Sequence, residues 1–471
     1  MLCATQDARA ELVEITQKKS QKVIKVEVVK LTDSKLTFKL KSGKQFTVDI
    51  DTLTGDSVSL IRATIDAQAK LRKGESAAIN KAIGHELFEG RSLWNEAAEE
   101  VASRLNWPRE SSTTQSSSFR YYTAKDYQFL GAHPYCATLY GGEGGTTTHL
   151  SIVFANKGDF GSTVGSGEDH FDSEGQDEDH AKSLDEAITL DAKRITESLT
   201  ESLGEPKKQY YGEKEDRRKV SRWDHGDHSI LLSKVDDEYT SLLIVAKSNA
   251  DLAGKVDFVK DSDLRVIVAK NVVKEDNGDV LIKNIPMVDQ GPKGYCAPAT
   301  FERAMRYMLV PADMYLLATA ATTQEGTNTR KLAESCKRIV RSKARRIKDL
   351  DLKNDLKVKL VKKHINKGVP ILWQMRSLKS YNKLVNTRTR EREKVTDYEA
   401  WKETVTAEAE ELAPRLENNM SNHHICMIIG YNEETNEIAV SDSWGERYEL
   451  RWVHIDLAKA VTNPGGFVID L

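Results

Sequence analysis

The run Gln290-Gly291-Pro292-Lys293-Gly294-Tyr295-Cys296-Ala297 constrains the fold more than any other part of the chain. Gly291, Pro292 and Gly294 call for a tight loop. Beyond them Phe301, Met305 and Met308 recur at helical spacing and predict a buried helix. Cys296 therefore stands at or near a helix N-terminus, where unpaired N–H groups and the macrodipole favour a thiolate. Pro298 is tolerated because the first turn has no intrahelical N–H bond to lose. Alone, such a cysteine is more often plain core, since free Cys is among the most buried residue types. Gln290 shifts that balance. A neutral amide one loop away from the nucleophile's own N–H is the kind of donor that stabilises an oxyanion.

The second constraint lies downstream, in Ser421-Asn422-His423-His424-Ile425-Cys426-Met427-Ile428-Ile429-Gly430-Tyr431-Asn432 and Asn436-Glu437-Ile438-Ala439-Val440-Ser441-Asp442. Two apolar runs around a short polar connection predict an antiparallel hairpin. Pairing Gly430 with Asn436 places His424 opposite Asp442, on neighbouring strands where imidazole and carboxylate meet. An acid that fixes a His tautomer is what a general base requires. His423 competes as the base, and only one of the two faces Cys296, because adjacent strand residues point to opposite faces. Both faces are apolar, so the pairing argument alone favours His424.

Composition removes several function classes. Lys+Arg number 69 against 72 Asp+Glu, a net charge of −3, which argues against a dedicated nucleic-acid binder. No apolar run is long enough to span a membrane. The five cysteines, Cys3, Cys136, Cys296, Cys336 and Cys426, are scattered and form neither a disulfide framework nor a zinc spacing. No cofactor or metal is expected. Met1-Leu2-Cys3-Ala4-Thr5-Gln6 shows no basic and apolar leader, so the compartment stays open: secreted or periplasmic if a leader has been trimmed, otherwise cytoplasmic.

Length predicts about three domains in an α+β, multidomain chain. Residues 1–20 read as a disordered or helical lead-in. Residues 21–60 alternate, with Val26, Val28, Leu36, Phe38 and Leu40 before a Ser42-Gly43 turn, and predict a hairpin or small barrel similar in pattern to SH3-like modules. That module is a candidate site for a protein partner. Residues 61–107 read as helical, with Leu93, Ala97, Val101 and Leu105 at four-residue steps. Residues 108–118 read as a linker. Residues 119–275 read as a separate α+β module of unknown role, with strands at Tyr127–Tyr140 and Thr148–Asn156, a helix at 181–203, and a hairpin at 228–247. Residues 168–180, rich in acids and carrying His170 and His180, are a solvated acidic loop or a cation-binding loop. The basic stretch 337–363 predicts a helix with a wet face, its spacing set by Leu356, Leu360 and His364, or a docking surface for an acidic substrate. The polar insertion 376–420 predicts a surface helix or a lid over the cleft.

The blocks Gln290-Gly291…Gly294-Tyr295-Cys296-Ala297, Asn422-His423-His424-Ile425…Gly430-Tyr431 and Ser441-Asp442-Ser443-Trp444-Gly445 resemble those of papain-like cysteine peptidases. The resemblance covers roughly 284–471. It implies a papain-like domain, with a helix carrying the Cys packed on an antiparallel sheet carrying His and Asp. It further implies Cys296 as nucleophile, His424 as general base and acid, Asp442 as its orienting residue, Gln290 in the oxyanion hole, and Trp444 shielding the His–Asp contact. Papain proper has Asn at the position of Asp442, a disulfide-forming Cys at that of Lys293, and Trp at that of Ala297. Asp442, the missing disulfide and the strand Gly368-Val369-Pro370-Ile371-Leu372-Trp373 are more similar to bacterial relatives of the bacteriocin-leader-processing peptidases. The expected activity is hydrolysis of peptide or isopeptide bonds in a protein or peptide substrate. A transglutaminase-like thiol acyltransferase uses the same groups, and a non-catalytic binding protein on a peptidase-like scaffold is the third reading.

Overall fold

The structure is a computed structural model. It describes residues 12–471 except 33, 41, 160–182, 214–216, 256–258, 292–293, 320, 324–325 and 418–422. The acidic stretch 168–180 and the loop residues Pro292 and Lys293 therefore lie outside the described residues. The chain mixes α and β, with several antiparallel sheets. No described helix is long and apolar enough to cross a membrane.

The N-terminal sheet is a meander of β1 (Leu12–Thr16), β2 (Val23–Leu31), β3 (Lys35–Lys39) and β4 (Gln45–Asp49), followed by helix α1 (Gly55–Ile83). Alternation drives it: Val13 and Ile15 are buried while Leu12 and Glu14 are exposed. Val26, Leu36 and Phe38 join them against Leu53 and Ile61. The lead-in reading is corrected here, since β1 falls inside it. β4 does not pair back onto β1, so the expected barrel is an open sheet.

Gly84, at φ +85°, ends α1, and α2 (Ala98–Leu105) begins well beyond it. The spacing from Leu93 to Leu105 thus spans a 3-10 turn and a separate helix rather than one helix. The expected linker is β-structure: β5 (Arg109–Ser112) and β6 (Ser117–Tyr122) form the edge hairpin of an eight-stranded sheet. Its other strands are β7 (Cys136–Gly141), β8 (Thr147–Asn156), β9 (Lys207–Tyr211), β10 (Arg218–His225), β11 (His228–Val235) and β12 (Tyr239–Ala246). The order is β5-β6-β7-β8-β12-β11-β10-β9. The strand expected from Tyr127 begins only at Cys136, because Leu130 and Gly131 take positive φ and turn the chain. Helix α3 (Leu184–Leu203) covers one face, and α4 (Lys247–Asp251) follows β12.

Both faces of β7 and β8 are buried. Ala137, Leu139, Ile152 and Phe154 point into the core shared with Ile195 and Leu199 of α3. Cys136 and Val153 point the other way, into a core that includes Val288, Tyr295, Ala299 and Tyr315. The central sheet thus packs directly against the segment that carries Cys296.

That segment begins with α5 (Asp261–Lys270), β13 (Val272–Lys274) and β14 (Asp279–Ile282). It continues with α6 (Cys296–Tyr307), α7 (Met314–Thr319), the small pair β15 (Thr322–Thr323) and β16 (Gly326–Thr327), and α8 (Thr329–Ser342). Then come β17 (Arg346–Leu350), α9 (Leu352–Asp355), α10 (Val358–Ile365), β18 (Ile371–Arg376), α11 (Lys379–Arg392) and α12 (Tyr398–Glu417). The end is β19 (His423–Asn432), β20 (Glu437–Ser441), β21 (Arg451–His454), α13 (Ile455–Val461) and β22 (Thr462–Asp470). The antiparallel sheet runs β13-β14-β19-β18-β22-β17, with β20 on β19 and β21 on β20. Helix α6 lies on β19 and β18.

Two expectations change here. The basic stretch 337–363 is not one helix but the end of α8, then β17, α9 and α10, with Val358, Val361 and Ile365 as the buried stripe of α10. The insertion 376–420 does not overhang the cleft. Helices α11 and α12 pack on β21 and α13, where Arg392 pairs with Asp279 and Glu437. Of its described residues Ser377 reaches the cleft. Close packing also fixes Gly430 on β19, since a Cβ there would sit 2.5 Å from both the Val280 carbonyl oxygen and Leu281. Gly430→Ala is expected to cost about 1–3 kcal/mol, as overpacked sites do. Chemical denaturation reads that cost, and an unchanged midpoint would contradict the packing.

Candidate active site

Cys296 is the first residue of α6, as the loop-then-helix pattern predicts. The same helix face carries Thr300 and Arg303, and both hold α6 to the sheet. Thr300 Oγ1 donates to the Ile425 carbonyl at 3.1 Å. The buried Arg303 donates to Ser441 Oγ at 2.6 Å and to the Pro286 carbonyl at 2.9 Å. The helix start is thereby locked opposite the start of β19, where His424 stands.

His424 Nε2 lies 2.6 Å from Asp442 Oδ1, and the imidazole also hydrogen-bonds the Cys296 thiol. With Nε2 on the carboxylate, Nδ1 is the nitrogen turned to sulfur. Asp442 is fully buried, and its second oxygen accepts from Arg451 on β21. Cys296, His424, Asp442 and Arg451 thus form one continuous chain. The Trp444 ring stacks on His424 with centroids 4.6 Å apart.

The electrostatics follow this geometry. Burial pushes the Cys296 thiol up, but the hydrogen bond and charge of His424, with the Ile425 and Ala297 amides, outweigh it and the thiol ends below its ordinary value. Burial opposes charge on His424, yet Asp442 and Cys296 raise it to about 9. Burial also opposes charge on Asp442, yet Arg451 and His424 hold it down at about 2. The directions of all three shifts favour a thiolate–imidazolium pair over an ionised carboxylate.

The predicted hairpin register is corrected. Met427 pairs with Ser441 and Ile428 with Val440, and a bulge before Gly430 shifts the later pairs by one. Asp442 therefore falls level with Cys426 and reaches His424 along the diagonal, on the same face. The even-numbered side chains share that face. His423 points the other way: it is exposed, and its Nδ1 lies 2.8 Å from Asn463 Nδ2.

Gln290 is held by the residue after Asp442. The Gln290 N–H donates to the Ser443 carbonyl at 2.8 Å, and the Ser443 hydroxyl donates to Gln290 Oε1 at 2.9 Å. That bond assigns the carbonyl end of the amide to Ser443. Gly291 takes φ +67°, a left-handed conformation that glycine adopts without strain. Gln290, Cys296, His424 and Trp444 line one cleft of about 1540 Å³, whose lining also includes His423, Asp351 and Asn463.

All four residues singled out in the sequence therefore converge. Arg451, Ser443, Thr300 and Arg303 were not singled out. The one available signal was a charged residue in an apolar strand or helix, as in Arg451-Trp452-Val453. Cys426 joins His424 and Asp442 in a cluster of donor atoms within 4.8 Å of one another. The Arg451 cation on the same carboxylate makes this a poor place for a metal ion. Cys136, Cys296, Cys336 and Cys426 are free thiols, and burial pushes Cys136 and Cys336 up to about 12.

An acid-paired imidazole beside a helix-terminal thiol is an arrangement chemically capable of thiol acyl transfer. Residues 282–460 match the Peptidase_C39 like family, so the C-terminal part of the chain carries a cysteine-peptidase-like scaffold. A comparison with curated proteins finds no match to the chain.

Proposed function

We propose that the protein is a cysteine peptidase that hydrolyses peptide or isopeptide bonds through a thioester acyl-enzyme. In this reading residues 284–471 are the papain-like peptidase domain. The observation that carries it is the unbroken chain from Cys296 through His424 and Asp442 to Arg451 at the wall of an open cleft. The Cys296 thiolate attacks the substrate carbonyl carbon. The oxyanion formed accepts from the Cys296 N–H and the Gln290 amide. His424 gives its Nδ1 proton to the leaving amine as the C–N bond breaks. It then takes a proton from water, whose attack on the thioester expels the Cys296 thiolate, restores the thiolate–imidazolium pair and releases the acid, which loses its proton to solvent.

The pH dependence follows from the two directions. Acyl transfer rises as Cys296 ionises, below the range of an ordinary thiol, and falls as His424 loses its proton near pH 9. The test is labelling of the full chain with a peptide epoxide and with iodoacetamide, followed by peptide mass spectrometry. Wild type is expected to be modified at Cys296 well below pH 8, and Cys296→Ala to take no label. Persistent labelling of the variant, or modification at Cys336 or Cys426 instead, would overturn the assignment.

A further inference from the structure

We infer that Tyr122, on β6 of the central sheet, is a positioning residue for Gln290, an inference that rests on the oxyanion role proposed above. The peptide unit joining Asp289 to Gln290 is gripped at both ends. The Tyr122 hydroxyl donates to its carbonyl oxygen, and its N–H donates to the Ser443 carbonyl at 2.8 Å. A peptide unit is planar, so two opposed hydrogen bonds fix its tilt, and the tilt sets the direction in which the Gln290 side chain leaves the backbone. Tyr122 also supports the next residue, since a Cβ on Gly291 would lie 3.2 Å from its ring. The hold is therefore on both neighbours of Gln290.

The rest of the frame comes from the same strands. Glu110 on β5 accepts from the Asp289 N–H at 3.0 Å and from Arg120 Nε at 2.6 Å. Arg120, on β6, makes two hydrogen bonds to the buried Glu302 of α6, at 2.9 and 3.0 Å. Beyond β8, Asp159 accepts from the hydroxyl of Tyr295, the residue before Cys296, at 2.9 Å. The amide donor and the nucleophile are thus referenced to one rigid sheet, which lies upstream of the matched residues 282–460. A site held to a fraction of an ångström needs such a support. The central sheet is part of the active-site scaffold rather than a tethered accessory, and Tyr122 is its contact with the oxyanion donor.

Two reactions at the same sulfur separate positioning from general structure. Acylation by p-nitrophenyl acetate passes through an oxyanion, whereas alkylation by iodoacetamide does not. Both rates are measured on the full chain for wild type, Tyr122→Phe, Gln290→Ala and the double variant. Tyr122→Phe is expected to slow acylation about 5- to 10-fold, short of the ~10²-fold cost of removing an oxyanion donor outright. Alkylation should change less than about twofold, because the Cys296–His424 pair is not touched. In the Gln290→Ala background the Tyr122→Phe effect on acylation should vanish, because the two residues act on one step. Equal losses in both reactions, no loss in acylation, or an undiminished loss in the Gln290→Ala background would each overturn the inference. Wild-type Cys296 that reacts with neither reagent in a His424-dependent way would instead overturn the peptidase reading beneath it.

Discussion

His424→Ala is expected to lower acyl transfer at Cys296 by about three orders of magnitude or more, the scale on which general acid–base groups act. It should also remove the low-pH reactivity of the thiol. The sign follows from the opposing influences on Cys296. Burial raises its pKa, and the hydrogen bond and charge of His424 are the largest influences that lower it. Take His424 away, and burial is opposed only by weaker partners, among them the Ile425 and Ala297 amides. The thiol then ionises at higher pH, and alkylation near neutral pH slows. The check is the rate of iodoacetamide modification of Cys296 from pH 5 to 10 in both proteins. In wild type the curve should reach its plateau well below the ordinary thiol range, and in the variant it should shift to higher pH. Superimposable curves would mean that His424 does not ionise Cys296, whatever the two residues' proximity. His423→Ala is the internal control. It lies on the opposite face of β19 beside Asn463, so its curve should follow wild type.

The sequence made the candidate site legible for a physical reason. A thiol at a helix start needs a tight loop before it, and that loop leaves Gly291 and Gly294 in the text. The His strand and Asp strand need to be apolar to cross the core, so His424 and Asp442 stand out at their ends. What pattern could not give was the register. Asn432 pairs with Glu437, so the loop is 433–436 rather than 431–435 and the pairing slips by three, and the bulge between Ile428 and Gly430 takes one back, so the contact of His424 with Asp442 is diagonal where direct pairing was assumed. The contact survived because a shift by two keeps a side chain on the same face. Less could be read upstream. Ser111 and Ser118 look like linker chemistry, yet both are buried: one accepts from the Met287 N–H, the other donates to Glu110. Polar residues that satisfy a buried interface are indistinguishable by composition from those that face water. The same holds for Arg120 and Glu302, which read as surface charges until the two sheets are brought together.

The candidate site therefore has two supports of different kinds. On one side Ser443 and Asp442, neighbours in one turn, set the amide and the imidazole together. On the other side the central sheet holds the peptide unit before Gln290 and the residue before Cys296. A chain reduced to the matched residues would keep the first and lose the second.

Arg451 carries the second large effect. Asp442 is fully buried between two cations, the imidazolium of His424 and the guanidinium of Arg451. Arg451→Met removes one of them and leaves a buried carboxylate with a single partner. Breaking a buried ion pair in this way costs about 3–5 kcal/mol. Denaturation of the C-terminal part at pH 7 should show a loss of that size. Acid should add little to it. In wild type the stability tied to Asp442 is present above the ordinary carboxylate range and is lost only as pH falls through about 2. Without Arg451 the carboxyl titrates higher, so its contribution fades at milder acidity and the difference between the two proteins narrows below pH 4. Asp442→Asn in the same background removes the unpaired charge, and the double variant should recover much of the stability. It should not recover activity, because the imidazolium then has no anion to hold it. Recovery of stability without acyl transfer would separate the structural and chemical roles of this chain of charges. An Arg451→Met protein as stable as wild type would show that His424 alone suffices to keep Asp442 ionised in the core.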